Sequence, residues 1–563
     1  MLYRELARAR AELSGPGTLF EVAEIEVRGV RIRSFKNAPR NVRDVWLSTR
    51  QFAERDYLVY EDERLTYGEA HARANAIAGW LSRQGVVAGD RVGIAMRNYP
   101  EWLLIYWACL AAGFVVVGLN AWWVAEEVEY ALQDSAPKVV FCDEERLGRI
   151  LERPATAARS QLVATRTGAR PAGVVGWAEV IDGPAASPAA DIDPDDDACI
   201  FYTSGTTGRP KGAQLTHRGC VTNLFNVMFS GQTQALALAR EAGVDPAAPP
   251  IPTVLLATPL FHVTANNCGA YPATAAGGKV LCMYRWDAGE ALKLIERERA
   301  TSISGVPVMA RELISHPDFA RRDTSSLVML GGGGAPLQPD LVEKIRDQVK
   351  NAGPQTGYGM TETTGIITSV SGPFFSGKPL SVGPTVPTLE VKCVDDAGGA
   401  VGPGQVGELW VRGAPVIKGY INRPEATAEA ITDGWLHTGD VAKIDEDGFV
   451  YIVDRKKDMV LRGGENVYCA EVEACLHQHP AIAECCVFGV PDARLGEEVA
   501  AAVVLRPGEH LSAEALREHC AAHISRHKIP RHVWFLGEPI PRNANGKFLK
   551  RELRDRLPLE SAV

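Results

Sequence analysis

The sequence predicts an α/β protein with a large N-terminal domain and a small C-terminal one. Short apolar, β-rich runs alternate with helical stretches, which is how an α/β architecture reads. The chain has 563 residues, too many for one hydrophobic core. Beyond Leu389 the texture changes, and hairpin-like pieces replace the alternation.

The composition is that of a soluble globular chain, with 46% hydrophobic and 23% charged residues, which excludes a disordered one. A net charge of −9 gives nucleic-acid backbones no overall attraction, so acidic ligands must meet locally placed cations. Twelve cysteines contain no C-x-x-C pair, and reduced, mostly buried thiols are expected rather than zinc spacing or a disulfide framework.

Taken in order, the first twenty residues read as a short charged helix without an apolar core, so no secretory signal is expected and a cytoplasmic location follows. Trp102 to Ala125 is uncharged and long enough for a membrane span. Pro100 and Glu101 suit a helix's first turn, however, and Gly113 suits its stop. Residues 114–119 then read as a buried strand, and no transmembrane segment is expected. The rival reading, a membrane acyl transporter, predicts a protein that needs detergent.

Val139–Phe141, Ala198–Tyr202, Val254–Ala257 and Leu327–Leu330 are further candidate buried strands. Asp182–Asp197 and Gln232–Pro252, rich in Pro, Ala and Asp, read as surface loops. Hairpins are expected at 393–399 and 444–453, the second turning at Asp447-Gly448. The charged run Asp454-Arg-Lys-Lys-Asp458 reads as a linker, which places the domains at 1–456 and 457–563. The second domain should contain a helix Ala470–His479, strands Cys485–Val490 and Val499–Leu505, and a helix opened by Ser512 with Glu514 in its first turn.

The chemistry is concentrated in the segment 202–212, Tyr-Thr-Ser-Gly-Thr-Thr-Gly-Arg-Pro-Lys-Gly. Glycines 205, 208 and 212 let backbone N–H groups turn toward one point. The hydroxyls of Thr203, Ser204, Thr206 and Thr207 donate to oxyanions, and Lys211 adds a charge; together these suit a polyphosphate. It is not a Walker A loop, because Gly208 is followed by Arg209-Pro210.

This segment resembles the phosphate-loop signature of the adenylate-forming superfamily of acyl-CoA synthetases, aryl-CoA ligases, beetle luciferases and peptide-synthetase adenylation domains. Further signatures follow in the family's order: Pro259–Val263, Gly357–Thr363, Gly407–Gly413, Trp435–Asp440, Asp454–Asp458 and Asn545–Lys547. The resemblance extends from Leu47 to Leu553. It implies a large domain of stacked α/β sheets plus a small β-barrel-like part, then a small mobile α+β domain hinged at Lys457. It also implies a reaction in which ATP and Mg²⁺ convert a carboxylic acid to an acyl-adenylate, and coenzyme A then takes the acyl group with release of AMP.

Carried over residue by residue, Lys547 resembles the lysine that reaches the reacting carboxylate and phosphate, Glu362 the Mg²⁺ ligand and Thr361 the α-phosphate donor. Tyr358 would face adenine, with Gly334, Ala335 and Pro336 beside the nucleotide. Asp440 would accept the ribose hydroxyls, with Arg455 as partner. Gly464 resembles the turn lining the pantetheine tunnel. His262 stands where amino-acid-activating relatives carry an aspartate, which speaks against an α-amino acid. Gly359 stands where acetate-activating relatives place a tryptophan, and with Gly332 and Gly333 it implies a roomy pocket. The expected substrate is therefore an apolar acid, a medium or longer fatty acid first and an aryl or branched acid second. Only sixteen residues follow Lys547, so free coenzyme A is the expected acceptor, a separate carrier protein the alternative. A homodimer is left open, and a nucleotide-binding homologue without catalysis is disfavoured because every position carried over holds a competent residue.

Overall fold

The helix Pro100–Ala112 is buried along its whole length, and that burial organises the N-terminal part of the chain. Proline opens it, and Gly113 ends it with φ +79°, a conformation that costs glycine little. The strand Val115–Gly118 follows at once, as the sequence predicts. Trp107 donates to the Tyr57 hydroxyl at 2.7 Å, and the Tyr106 and Tyr271 hydroxyls meet at 2.6 Å, so the polar tips of these buried aromatics are satisfied within the core. Among the described residues no helix is long and apolar enough to cross a membrane.

The computed structural model describes residues 2–168, 170–185, 190–203, 209–246, 248, 250–335, 337–463, 465–542 and 548–563. Its contacts divide the chain into two units, Met1–Glu390 with Val411–Leu436, and Val391–Trp410 with His437–Val563. The strands just before Lys457 thus group with the C-terminal unit by contacts. All twelve cysteines are unbridged, and all but Cys268 are buried.

The first unit carries a seven-stranded sheet and a five-stranded one. In the first, Asp197–Thr203, Val115–Gly118, Arg91–Ala95, Val139–Asp143, Gln161–Thr165 and Val175–Gly176 run parallel, and Lys211–Thr216 joins the edge antiparallel to Asp197–Thr203. In the second, Ser302–Ser304, Thr253–Leu256, Lys279–Cys282 and Asp56–Tyr60 run parallel, with Glu63–Thr66 antiparallel at the edge. One apolar core joins the helix Pro100–Ala112 to residues of both sheets, among them Val92, Phe201, Leu58 and Val254. A third sheet holds Met329–Gly333, Gly353–Met360 and Gly365–Ser371, its first strand two residues later than the sequence suggests.

The expected loop at 232–252 is corrected in its first half. The helix His217–Ala242 runs through it, because Gln-Ala-Leu-Ala-Leu-Ala-Arg-Glu-Ala is made of strong helix formers and proline enters only at Pro246. The C-terminal unit matches its predicted pattern. Cys469–His477 and Ala513–His523 are helices, the second capped by Ser512 accepting from the Ala515 N–H. Ile482–Asp492 and Gly496–Leu505 pair antiparallel, and His532–Leu536 adds in parallel.

At the end of strand Val139–Asp143, Asp143 caps the helix Glu144–Leu151 and pairs with Arg146 at 3.1 Å, both side chains under 5% exposed. Without Asp143, Arg146 would keep Glu145 at 2.9 Å and the Ala121 carbonyl at 2.8 Å but lose its buried partner. We expect Asp143→Ala to destabilise the first unit by about 1–3 kcal/mol, read as a lower urea midpoint by tryptophan fluorescence. A midpoint equal to wild type would contradict this account of the pair.

Candidate active site

The ends of the phosphate-loop segment are set by strand pairing. Thr203 closes one strand, Lys211 opens the next, and the two are register partners, with the Thr203 hydroxyl donating to the Lys211 carbonyl at 3.4 Å. Ser204, Gly205, Thr206, Thr207 and Gly208 lie outside the described residues, as do Pro336, Gly464 and Lys547.

The segment 417–421 pairs along the outer side of strand Lys211–Thr216. The Lys418 N–H donates to Gln214 at 3.0 Å, the Gln214 N–H to Gly419 at 2.9 Å and the Ile421 N–H to Gly212 at 2.8 Å. This register sets Tyr420 beside Lys211, whose ammonium lies 5.0 Å from the ring centroid. The Tyr420 hydroxyl in turn donates to Glu362 Oε1 at 2.8 Å, and the Ile417 N–H to the Glu362 carbonyl at 3.0 Å. A cation and a carboxylate thus share one tyrosine, the cation beside its ring and the carboxylate on its hydroxyl. Burial and the Glu362 carboxylate both push the Tyr420 phenol well above its usual range, so it remains a donor at neutral pH. Sequence reasoning missed Tyr420. Its partner lies 58 positions earlier, and the signal was the Lys418-Gly-Tyr-Ile-Asn422 run just after Gly407–Gly413.

Glu362 and Thr361 stand on a short turn, Thr361–Thr363, that ends the strand Gly353–Met360. Thr364 takes φ +57° and donates to the Pro415 carbonyl at 2.6 Å, which fixes the turn against the segment carrying Tyr420. Tyr358 is half-buried on the same strand, opposite Thr368. His262 sits in a turn ahead of a π-helical segment, Asn266–Ala270, with its N–H on the Pro259 carbonyl and its ring against Phe261. Asn223, buried in the long helix, accepts from the Ile366 N–H at 2.9 Å and donates to the Asn267 carbonyl at 3.1 Å. It thereby links the strand after Glu362 to the segment after His262.

Two of the expected pocket glycines have a packing role. A Cβ at Gly359 would lie 1.9 Å from the Gly365 carbonyl oxygen, so this glycine serves the close approach of two strands, and a side chain there meets backbone before open space. A Cβ at Gly332 would meet the Gly305 carbonyl at 2.3 Å, for the same reason. A Cβ at Gly333 would lie 3.1 Å from the Gly357 carbonyl oxygen, while one at Gly334, where φ is +80°, would meet only Val306 within 4 Å among the described residues beyond its chain neighbours. Ala335 follows it at the end of the described stretch.

In the C-terminal unit, Asp440 and Arg455 are register partners on the hairpin Trp435–Ile444 and Phe449–Arg455, with Arg455 Nε 3.3 Å from Asp440 Oδ1. Asp440 is held further by its N–H on the Thr438 hydroxyl at 3.1 Å. Asp454 is buried next to them, accepting from the Arg455 N–H at 2.7 Å and from the Cys469 N–H at the start of a helix. Burial pushes the Asp454 carboxyl up to about 6. Lys457 is exposed on the turn that follows.

Two family models cover most of the sequence: that of the AMP-binding enzymes matches residues 45–421, and that of their C-terminal domain residues 471–547. The chain belongs to the AMP-binding enzyme family. It is 37% identical over 492 residues to a feruloyl-CoA synthase of an Amycolatopsis species, covering 87% of this chain and 94% of the relative. It is 34% identical to a long-chain-fatty-acid–CoA ligase of Escherichia coli O157:H7, covering 90% and 93%. Among solved structures, the anthranilate CoA ligase AuaEII in complex with anthranoyl-AMP superposes with a TM-score of 0.82 at 26% identity, covering 93% of this chain and 98% of that one. Within the family the chain is of the AMP-forming acyl-CoA synthetase type.

Deleting the hydroxyl that holds Glu362 should matter while the fold stays intact. Because a hydrogen bond to a charged group contributes about 1.5–3 kcal/mol, Tyr420→Phe should lower acid-dependent ATP–pyrophosphate exchange roughly tenfold or more while the circular dichroism spectrum stays that of wild type. Exchange at the wild-type rate would mean that Glu362 does not depend on this contact.

Proposed function

We propose that this enzyme activates an apolar carboxylic acid, joining it to AMP and then transferring it to coenzyme A. The array of Lys211, Tyr420 and Glu362 carries this reading, because it gathers a cation and an oriented carboxylate around one tyrosine, with Lys211 opening the strand that follows the loop segment. In the first half-reaction a carboxylate oxygen of the substrate attacks the α-phosphorus of ATP, and the bond to the departing pyrophosphate breaks. Thr203, the loop residues 204–208 and Lys211 hold the phosphates, and Thr361 donates to the α-phosphate. Tyr358 stacks on adenine beside Gly334, Ala335 and Pro336, and Asp440 with Arg455 binds the ribose. Lys547 reaches both anions as charge builds, so that two negative groups approach with their repulsion offset.

Glu362 fits a Mg²⁺ ion: it is a hard oxygen donor with one oxygen oriented by Tyr420 and the other outside that bond, suited to a cation held mainly by phosphates. When bound, the ion neutralises charge on the polyphosphate.

In the second half-reaction the thiol sulfur attacks the acyl carbonyl, and AMP leaves with the bridging oxygen. The thiol needs the place Lys547 held, so the domain beyond Lys457 must turn about that residue between steps, bringing Gly464 to the pantetheine path. Support for the acid's class comes from His262, which replaces an ammonium-binding aspartate. A medium or long fatty acid remains the first reading, and the feruloyl relative favours an arylpropenoic acid as the second. Coenzyme A is the proposed acceptor and the cytoplasm the proposed location.

Pyrophosphate exchange over acetate, octanoate, palmitate, benzoate, 4-coumarate and ferulate separates these substrates, and exchange with none of them would overturn the proposal. Lys547→Ala should cut exchange about a hundredfold or more yet leave thioester formation from supplied acyl-adenylate largely intact. Equal loss of both would contradict two geometries. Gly464→Leu should do the reverse, sparing exchange while blocking thioester formation; loss of both in this variant would make the turn merely structural.

A further inference from the structure

Seven of the protein's twelve histidines fall after residue 476, and two of them, His519 and His523, stand four apart on one helix, while Cys475 lies on another that ends two residues before His479. Residues four apart share a helix face. Cys475 lies in the helix Cys469–His477, and His519 and His523 lie in the helix Ala513–His523. Both helices belong to one apolar core through Val472, Cys475, Leu476, Leu516 and Cys520, so their facing sides are brought together by packing alone.

One ligand atom from each of Cys475, His519 and His523 lies within 4.8 Å of the other two. The rings of His519 and His523 have centroids 4.5 Å apart, and His479 stands edge-on to His519 at 5.1 Å. The backbone already fixes two of these rings. His519 Nε2 lies 2.9 Å from the Cys475 carbonyl and His523 Nδ1 lies 2.7 Å from the His519 carbonyl. A ring nitrogen that donates to a carbonyl leaves the other nitrogen's lone pair for a metal, the usual second bond of a ligating histidine. His479 Nδ1 accepts from the Ala481 N–H at 3.2 Å. Cys475 is buried, His519 half-buried and His523 exposed, which gives an apolar floor and an open entry side.

We propose that Cys475, His519 and His523 form a Zn²⁺ site that clamps the two helices of the C-terminal unit, with His479 or water as the fourth ligand. One thiolate with imidazoles is the donor set that suits this ion, whereas Mg²⁺ and Ca²⁺ demand oxygen. In a tetrahedral site with bonds of about 2.0–2.3 Å the donor atoms stand roughly 3.5 Å apart, and the three donors here, all within 4.8 Å of one another, are near that spacing. The thiol proton is released to solvent as the sulfur binds. The ion is structural and takes no part in the adenylating reaction. Reading cysteines for C-x-x-C pairs passed over this set, because three of its four side chains are histidines on a later helix or helix end.

The test uses full-length, reduced protein without an affinity tag, stripped with chelator. Zn²⁺ alone, titrated against a chromophoric chelator, should bind at one equivalent per chain and raise the melting temperature. Co²⁺ alone should give tetrahedral d–d bands and a thiolate charge-transfer band that disappears in Cys475→Ser. His519→Gln and His523→Gln should each weaken Zn²⁺ binding by about a hundredfold. Circular dichroism and pyrophosphate exchange should match wild type in all three variants, which separates ligand loss from unfolding. Substoichiometric Zn²⁺, a Co²⁺ spectrum without the thiolate band, or affinity that survives all three changes would overturn the proposal.

Discussion

The pairing of residues 417–421 with the strand Lys211–Thr216 is the contact on which the candidate site depends. Three backbone hydrogen bonds fix that register. A one-residue slip would turn Tyr420 to the opposite face and separate it from both Lys211 and Glu362. Backbone pairing suits this task, because it holds side chains from three separate stretches without asking any charged group to find another through solvent. The turn at Thr361–Thr363 is tied to the same segment by Thr364 and by the Ile417 N–H. The carboxylate is thus positioned by its backbone as well as by the phenol.

The electrostatics follow from the same economy of placement. A chain with a net charge of −9 gains nothing from its overall field when it binds ATP, so attraction to phosphate must be local. Lys211 supplies a fixed charge beside an aromatic face, where the cation interacts with the ring. Asp440 and Arg455 are held opposite one another by strand register, which sets a carboxylate acceptor beside a guanidinium donor. Asp143 and Arg146, buried elsewhere in the first unit, pair with each other and serve the scaffold.

Local patterns were legible in the sequence, and contacts between distant stretches were not. Pro100 and Gly113 bound their helix as read, because capping is a matter of adjacent residues. The strand at 253–256 and the helix after Ser512 were equally local. The helix to Ala242 is hard to read because its alanines run directly into a stretch rich in Pro, Ala and Asp. Gly359 was read as space beside a substrate, yet its missing side chain makes room for the Gly365 backbone, a neighbour set by a strand turn that no motif spells out. Tyr420 escaped notice for the same reason, since only strand pairing brings it to Glu362. The motifs gave the chemistry and the register gave the geometry.

The central claim is that a substrate carboxylate attacks the α-phosphorus of ATP, and the fate of oxygen tests it most directly. Acid labelled with ¹⁸O in both carboxylate oxygens should be turned over with ATP and coenzyme A, and the products examined by mass spectrometry. The account predicts one labelled oxygen in AMP, the other in the thioester and none in pyrophosphate. Label in pyrophosphate or inorganic phosphate, or AMP free of label, would contradict it.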